Sequence, residues 1–249
     1  MNTIVCIKRV PDSATRVKIG ADGASLDPDG VKFVVNPYDE FALEEAIRRK
    51  EDAGEGTVIA ISVGPSETAE AVRQALAMGA DEGVLLTCDG SHDPIAVARA
   101  LASEIEGRAY DLVLFGKQAI DDDNMQVPQL VAEFLGLPCA TVVVGLEIDG
   151  GRATARREVE GGHEVIEFSL PAVVSTQKGL NEPRYPSLKG IMAAKKKPLE
   201  EKDIVLDDAT FELVSLDLPP APAAGRIVGE GAEAVPDLIA ALREEAGVL

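Results

Sequence analysis

Residues 57–87 read TVIAISVGPSETAEAVRQALAMGADEGVLLT. An apolar run over 57–63 stops at Gly64-Pro65, and helical spacing of apolar residues then continues to Met78, closed by Gly79. A second apolar run covers 83–87. Strands that are apolar at successive positions are covered on both faces, as parallel strands are. Two of them joined through a helix make a right-handed crossover within one sheet. This stretch alone therefore predicts an α/β protein.

The same unit extends in both directions. Upstream, residues 3–7 read as a strand and 36–50 as a helix, with Asn36 at the N-cap, Pro37 at the first helical position, and Asp39 and Glu40 in the first turn. Downstream, 94–105 carries Ile95, Ala98, Leu101, Ala102 and Ile105 on one stripe. A strand over 111–115 and a helix over about 126–135 follow, the latter ended by Gly136 and Pro138. From 141 the period drops to two, over 141–148, 152–158 and 164–169, with Asp149-Gly150-Gly151 as a hairpin turn; 171–175 (PAVVS) is again a buried strand. Past 198 the composition changes: 216–225 (LDLPPAPAAG) is an extended linker, and an amphipathic helix begins near Pro236 with Leu238, Ile239 and Leu242. The expected architecture is a doubly wound, mostly parallel sheet with an antiparallel extension over residues 1–197. A C-terminal arm and helix over 198–249 would dock on this domain or on a partner.

Composition narrows the function. A formal net charge of −19 repels nucleic acid and anionic membrane surfaces. With no Trp, 3 Tyr and 6 Phe, the core must be aliphatic. Three Cys without a CxxC pair, and only two His (His92 and His163), argue against a zinc centre or disulfide framework and suit a reducing compartment. Neither a basic-apolar leader nor a bilayer-length apolar run is present, so the expected location is the cytoplasm, with an uncleaved matrix import signal as the alternative. No Ser-His-Asp set or paired-carboxylate signature occurs, so no catalytic residue is assigned.

In an open α/β sheet the ligand crevice lies at the carboxyl ends of the strands. Three segments arrive there. Ser62-Val63-Gly64-Pro65-Ser66 offers free backbone N–H groups to a phosphate, or is an ordinary turn between strand and helix. Gly116-Lys117-Gln118-Ala119-Ile120-Asp121-Asp122-Asp123-Asn124 follows the strand over 111–115. It lacks the Walker A spacing, and its three Asp read as a helix cap or solvated turn, or as a metal ligand set. Asn36-Pro37-Tyr38-Asp39 is explained by capping alone. Elsewhere, Leu180-Asn181-Glu182-Pro183-Arg184-Tyr185-Pro186 reads as an exposed loop displaying Leu, Tyr and Arg to a partner. It leads into Lys189 and Lys195-Lys196-Lys197, a positive cluster that is either a solvated face or part of that surface.

Taken in order, IVCIKRVPD, NPYDEFALEEAIRRKE, VIAISVGPSETAEAVRQALAMGADEGVLL, DLVLFGKQAIDDD, LPAVVS and GLNEPRYPSLKGIMAAKKKP resemble the electron-transfer flavoprotein beta subunit, over roughly residues 2–198. The resemblance implies an adenine nucleotide alpha hydrolase-like fold. It implies a heterodimer with an alpha subunit that holds most of the FAD contacts, and AMP bound structurally in the beta subunit. Electrons would pass from acyl-CoA or other flavin dehydrogenases through the flavin to a quinone reductase, leaving the beta subunit no turnover of its own. The implied AMP contacts fall on Cys6, Asn36, Pro37, Tyr38, Asp39, Val63, Gly116, Lys117, Gln118, Ala119, Ile120, Asp121, Asp122, Asp123, Asn124, Met125, Gln126 and Val127. The phosphate would be met by N–H groups near Asp122–Met125, at the start of the fourth helix.

Leu180 is the implied anchor for dehydrogenases, with Asn181, Glu182, Pro183, Arg184, Tyr185 and Lys189 around it. The pair Gln126-Val127 is similar to bifurcating members, in which a second FAD replaces AMP and NADH is oxidised. Asp122 opposes a pyrophosphate there. A stress-type ATP-binding protein acting alone would share the fold but have no use for the loop or the arm.

Overall fold

A computed structural model describes residues 1–89, 93–222 and 224–249. Eleven strands occur in chain order among these residues. They are β1 (Thr3–Cys6), β2 (Arg9–Pro11), β3 (Phe33–Val35), β4 (Val58–Gly64), β5 (Glu82–Thr87), β6 (Leu112–Gly116), β7 (Cys139–Asp149), β8 (Arg152–Val159), β9 (Gly162–Ser169), β10 (Ala172–Thr176) and β11 (Leu199–Asp203). The helices are α1 (Pro37–Ala53), α2 (Ala69–Met78), α3 (Pro94–Glu106), α4 (Val127–Leu135), α5 (Leu188–Ala194) and α6 (Val235–Glu244). Nine strands form one sheet in the order β11-β5-β4-β1-β6-β10-β7-β8-β9, while β2 and β3 pair separately as a short antiparallel ribbon. All neighbours from β11 to β7 are parallel; β7-β8 and β8-β9 are antiparallel. The expected mixed architecture is therefore present.

Alternation along the strands sends side chains to two cores. Val5, Leu112, Leu114 and Val174 meet α1 and α2 on one face; Ile4, Val113, Phe115 and Val173 meet α3 and the buried Val131 and Ala132 of α4 on the other. Small residues allow the close approach, with Ala42, Ala46, Ala75 and Ala98 all fully buried. β7 serves both parts of the sheet. It pairs with β10, then shifts register and turns through Asp149-Gly150-Gly151 into β8. Val142, in the left-handed region at φ 58°, marks the bulge, and its N–H donates to Ser175 Oγ at 3.1 Å.

Four local readings change. Pro65 does not start a helix: a 3₁₀ turn over Ser66–Thr68 precedes α2. Asn36 makes no side-chain cap on α1. α5 forms where a loop and a lysine cluster were expected, capped by Ser187, whose Oγ accepts from Gly190 N–H at 3.0 Å. The first residues of the C-terminal segment, Leu199–Asp203, add β11 beside β5.

Candidate functional site

The chain leaves β1 toward β4 and β5 on one side, then returns to β6 on the other. The carboxyl ends of β1 and β6 thus flank the point where strand order reverses, which is where an open α/β sheet holds its ligand. A cavity of about 740 Å³, counting its open mouth, lies there.

Asp39 is the hub of its floor. It sits in the first turn of α1, buried, and its Oδ1 accepts from Gly116 N–H at 3.0 Å and from Asn36 Nδ2 at 2.9 Å. Its Oδ2 accepts from Lys8 N–H at 2.7 Å. One carboxylate therefore ties the ends of β1 and β6 to the start of α1. Burial pushes its pKa up to about 7 against the pull of these donors and of the Lys8 charge. Burial, followed by the Asp39 charge, also drives the Cys6 thiol well above its usual range. Gly116 is obligatory here, because a Cβ at that position would lie 2.4 Å from Asp39 Oδ1 and 2.7 Å from the Tyr38 backbone carbon.

Asn36 performs a bridging role instead of capping. Its Nδ2 also donates to the Gln118 carbonyl at 2.9 Å, and its Oδ1 accepts from Ile120 N–H at 3.2 Å, so it shapes the loop after β6. That loop carries the three successive Asp. Asp121 and Asp122 both pair with Lys8 Nζ, each at 2.9 Å, and Asp123 accepts from Gln118. None of the three caps α4, which begins later, at Val127. Burial would lower the Lys8 pKa, but the two carboxylates outweigh it and raise it. No group of three His, Cys, Asp or Glu among the described residues is arranged to hold a metal ion. His92 lies outside the described residues.

Asp123 and Met125 adopt left-handed backbone, at φ 50° and 54°. Such non-glycine residues store strain and cluster at ligand-binding segments. Asp122–Met125 is thus a strained loop ahead of α4 and not the helix start; its Asn124 N–H already faces Asp122 Oδ1 at 3.4 Å, and Gln126 N–H faces Asn124 Oδ1 at 3.1 Å. Pro128 has no N–H and the Leu130 N–H donates to the Gln126 carbonyl at 3.1 Å, so Val127 is the cavity-lining residue of the first turn of α4 whose N–H has no intrahelical acceptor.

Of the residues singled out for a nucleotide, Cys6, Asn36, Asp39, Val63, Gly116, Gln118, Ala119, Asp122, Asn124, Met125, Gln126 and Val127 line the cavity. Pro37, Tyr38, Lys117, Ile120, Asp121 and Asp123 do not; Lys117 Nζ lies 4.9 Å from the centre of the Tyr38 ring. Ser62 and the Gly64-Pro65-Ser66 turn also stay outside. Sequence reading missed Lys8, Phe115, Val97 and Leu101. A lysine directly after a buried strand at the ligand edge was a usable signal for Lys8. Val97 lies off the apolar stripe of α3 and gave none.

The walls of this cavity divide into an apolar and a polar side. Val63, Val97, Leu101 and Phe115 give apolar walls, while the start of α4 at Val127 presents the positive end of a helix dipole; Lys8 adds no net positive charge, because Asp121 and Asp122 both pair with it.

The loop after β10 differs from its expected exposure. Leu180 is half-buried and packs against the core, and Arg184 is half-buried on α1. The exposed apolar groups are instead Tyr185 (95 %), Leu188 (76 %), Met192 (65 %) and Ile191 (46 %), with Lys189 exposed beside them. On the C-terminal segment, Thr210 is bound to Asp93 and Leu216 N–H to the Gly23 carbonyl, while Val235, Leu238 and Ile239 of α6 are exposed. No helix among the described residues is long and apolar enough to cross a membrane.

Comparison with known proteins gives the family of the chain. Residues 24–206 match the model of the electron transfer flavoprotein domain. The chain is 44 % identical over 225 residues to an electron transfer flavoprotein subunit beta of Syntrophomonas wolfei subsp. wolfei, covering 90 % of this chain and 88 % of that one. It is 44 % identical over 260 residues to the Bacillus subtilis (strain 168) subunit beta, across the whole of both chains. It is 41 % identical over 252 residues to that of Sus scrofa, covering 98 % of this chain and 97 % of the other. The match spans most of the chain at an identity well above that of chance likeness, and the chain belongs to the family of electron transfer flavoprotein beta subunits.

Proposed function

We propose that this chain binds AMP in the cavity between β1 and β6 and works as one half of an electron carrier, on an adenine nucleotide alpha hydrolase-like fold. The observation that carries the reading is the cavity itself. It lies at the strand-order reversal, has apolar walls on one side, and sets the start of α4 at Val127 on the other. In this role AMP is structural: it would fill the space between α1, α3 and the loop after β6, and no bond to it would be made or broken. Asp39 and Asn36 preform the site by fixing the strand ends. FAD, held mainly by an alpha subunit, supplies the redox chemistry when bound. The chain is then a subunit without turnover of its own, delivering electrons from acyl-CoA or other flavin dehydrogenases to a quinone reductase.

The exposed face of Tyr185, Leu188, Ile191 and Met192 suits a dehydrogenase contact, because large apolar groups beside lysines form a hot spot with a charged rim. Leu180, the anchor that the resemblance implies, is half-buried in the same loop and belongs to this proposed contact. The exposed apolar side of α6 suits the alpha subunit.

A second reading, FAD in place of AMP with NADH oxidation, is favoured by one observation: Gln126 and Val127 both line the cavity. Asp122 on the same wall disfavours a second phosphate, since two like charges about 4 Å apart repel by roughly 1–4 kcal/mol. The test is the nucleotide inventory of the complex purified with its alpha subunit. One AMP per FAD is expected; two FAD with no AMP, together with anaerobic NADH oxidation, would overturn the proposal.

A further inference from the structure

The apolar face of α5 protrudes from a segment with few contacts of its own. Residues 177–187 contain neither helix nor strand, and α5 is only 7 residues long. Such a segment presents a fixed surface only if something holds both ends.

The far end is clamped to α2. Arg73 Nη1 donates to the carbonyls of Ala194 and Lys197, each at 2.8 Å, and Lys197 Nζ donates to Leu76 O at 2.9 Å and to Ala80 O. Gly190 lets α5 lie directly on α2, since a Cβ there would stand 2.4 Å from the Ala77 carbonyl oxygen.

The near end is strapped to α1 by Arg184. Its backbone N–H and Nε both donate to Glu44 Oε2, at 3.1 and 2.8 Å, and Nη2 reaches Glu44 Oε1 at 3.1 Å. The same guanidinium holds Glu51 with both nitrogens, at 2.7 and 2.8 Å. Glu44 is buried at 4 % exposure, which is unusual for a carboxylate in mid-helix and is explained by this partner. Three residues earlier, Asn181 Nδ2 donates to the Phe41 carbonyl and to Glu45, both at 3.0 Å. Phe41, Glu44, Glu45 and Glu51 share one face of α1. A planar guanidinium that grips two carboxylates fixes direction as well as distance, which an ammonium cannot do.

We infer that Arg184 is a positioning residue for partner recognition: by locking the 181–187 segment onto Glu44 and Glu51 of α1, it sets the angle at which Tyr185 and the apolar face of α5 meet a dehydrogenase. This rests on the reading of that face given under the proposed function. Arg184 itself touches no reacting group. Losing it frees the near end while the α2 clamp keeps α5 folded, so binding to the partner weakens and the electron-transfer step, once partners are docked, does not change.

The experiment uses the complex with its alpha subunit as electron acceptor for a purified flavin-containing acyl-CoA dehydrogenase, with complex concentration varied. For Arg184→Ala the KM for the complex should rise on the order of tenfold. A change in kcat within about twofold is expected, the pattern of lost binding uniform between ground and transition states. Flavin and nucleotide contents should equal those of the unaltered complex. Arg184→Lys, which keeps the charge but loses the fork, should fall between the two, as should Glu44→Gln. Leu188→Ala is the companion variant that tests the face itself. If Leu188→Ala raises KM and Arg184→Ala leaves it unchanged, the strap inference is wrong and the face stands. If neither raises it, both are wrong. A fall in kcat or in nucleotide content that matches the KM change would also overturn the inference, because it would make Arg184 a support of the whole fold.

Discussion

Gly116→Ala tests the geometry of the candidate site most directly. A methyl group at this position would need to occupy space 2.4 Å from Asp39 Oδ1 and 2.7 Å from both the backbone carbon and the Cβ of Tyr38. None of these is the free end of a flexible chain. Tyr38 and Asp39 lie in the first turn of α1, and Asp39 is held by three donors. Overpacking of this kind costs about 1–3 kcal/mol. Pushing α1 away also stretches the 3.0 Å bond from Gly116 N–H to the Asp39 carboxyl, and a hydrogen bond of this kind contributes about 0.5–1.5 kcal/mol. A loss of about 3 kcal/mol is therefore expected, which lowers Tm by roughly 6–12 °C for a chain of this length. Calorimetry of the purified complex measures it, alongside the nucleotide released on acid precipitation, which should also fall. Gly107→Ala is the control, since its new Cβ would meet nothing nearer than Glu104 O at 3.9 Å. A Tm drop under about 2 °C with full nucleotide content would refute the claim that Gly116 is fixed by close approach to Asp39.

Three further outcomes follow from the site. Asp39 holds its proton to about 7 in the folded chain, against about 3.9 when unfolded, so its contribution to stability is complete below pH 4, is lost as pH rises to 7, and is flat above. Asp39→Asn removes that slope and costs about 1–3 kcal/mol by placing an NH₂ against an N–H donor; urea midpoints from pH 4 to 8 compare the two, and parallel profiles would count against the assignment. Asp122→Gly removes one of the two carboxylates on Lys8, so the affinity for ADP relative to AMP should rise by about fivefold or more; calorimetric titration of the nucleotide-stripped complex with each ligand gives the ratio, and an unchanged ratio excludes Asp122 from selecting phosphate number. Leu238→Glu with Ile239→Glu charges the exposed face of α6; the chain should keep its own stability within about 0.5 kcal/mol yet lose the alpha subunit on size-exclusion chromatography, and an intact heterodimer would remove α6 from the interface.

The run from β1 to α4 could be read in the sequence because its signals are local. Apolar stretches such as 58–63 alternate with helices that begin at Pro and end at Gly, and both cores follow from strand alternation. The ligand edge was legible for the same reason: any residue just past a buried strand arrives there. What escaped depends on contacts far apart in the chain. Asn36 reads as a cap because it precedes Pro37, yet besides Asp39 its side chain bonds the loop more than 80 positions away. Glu44 and Glu45 look like solvent-facing positions until Arg184 and Asn181 are placed over them. Leu180 reads as exposed because polar residues follow it, but the turn at Gly179, at φ 109°, aims it inward. Ser187 before Leu188 was a usable helix signal, masked by Pro186 and Gly190.

The place of β10 in the sheet has a consequence for how the chain is made. Residues 172–176 lie between β6 and β7, with Ala172 beside Leu112 and Val173 beside Cys139. As synthesis proceeds from the N-terminus, at about 5–20 residues per second, everything needed for β5, β4, β1 and β6 emerges first. The hairpins of β7, β8 and β9 emerge next, still unattached to them. During that interval the edge of β6 offers unpaired N–H and C=O groups on a fully buried apolar strand, a template for pairing with another chain. One five-residue strand then joins both halves at once. A nascent chain halted before residue 172 should consequently aggregate or call on chaperones, whereas one halted after β11, which covers the edge of β5, should not. In hydrogen-exchange pulse labelling, the amides of Val173 and Val174 would gain protection together with, and never before, those of their neighbours across the seam.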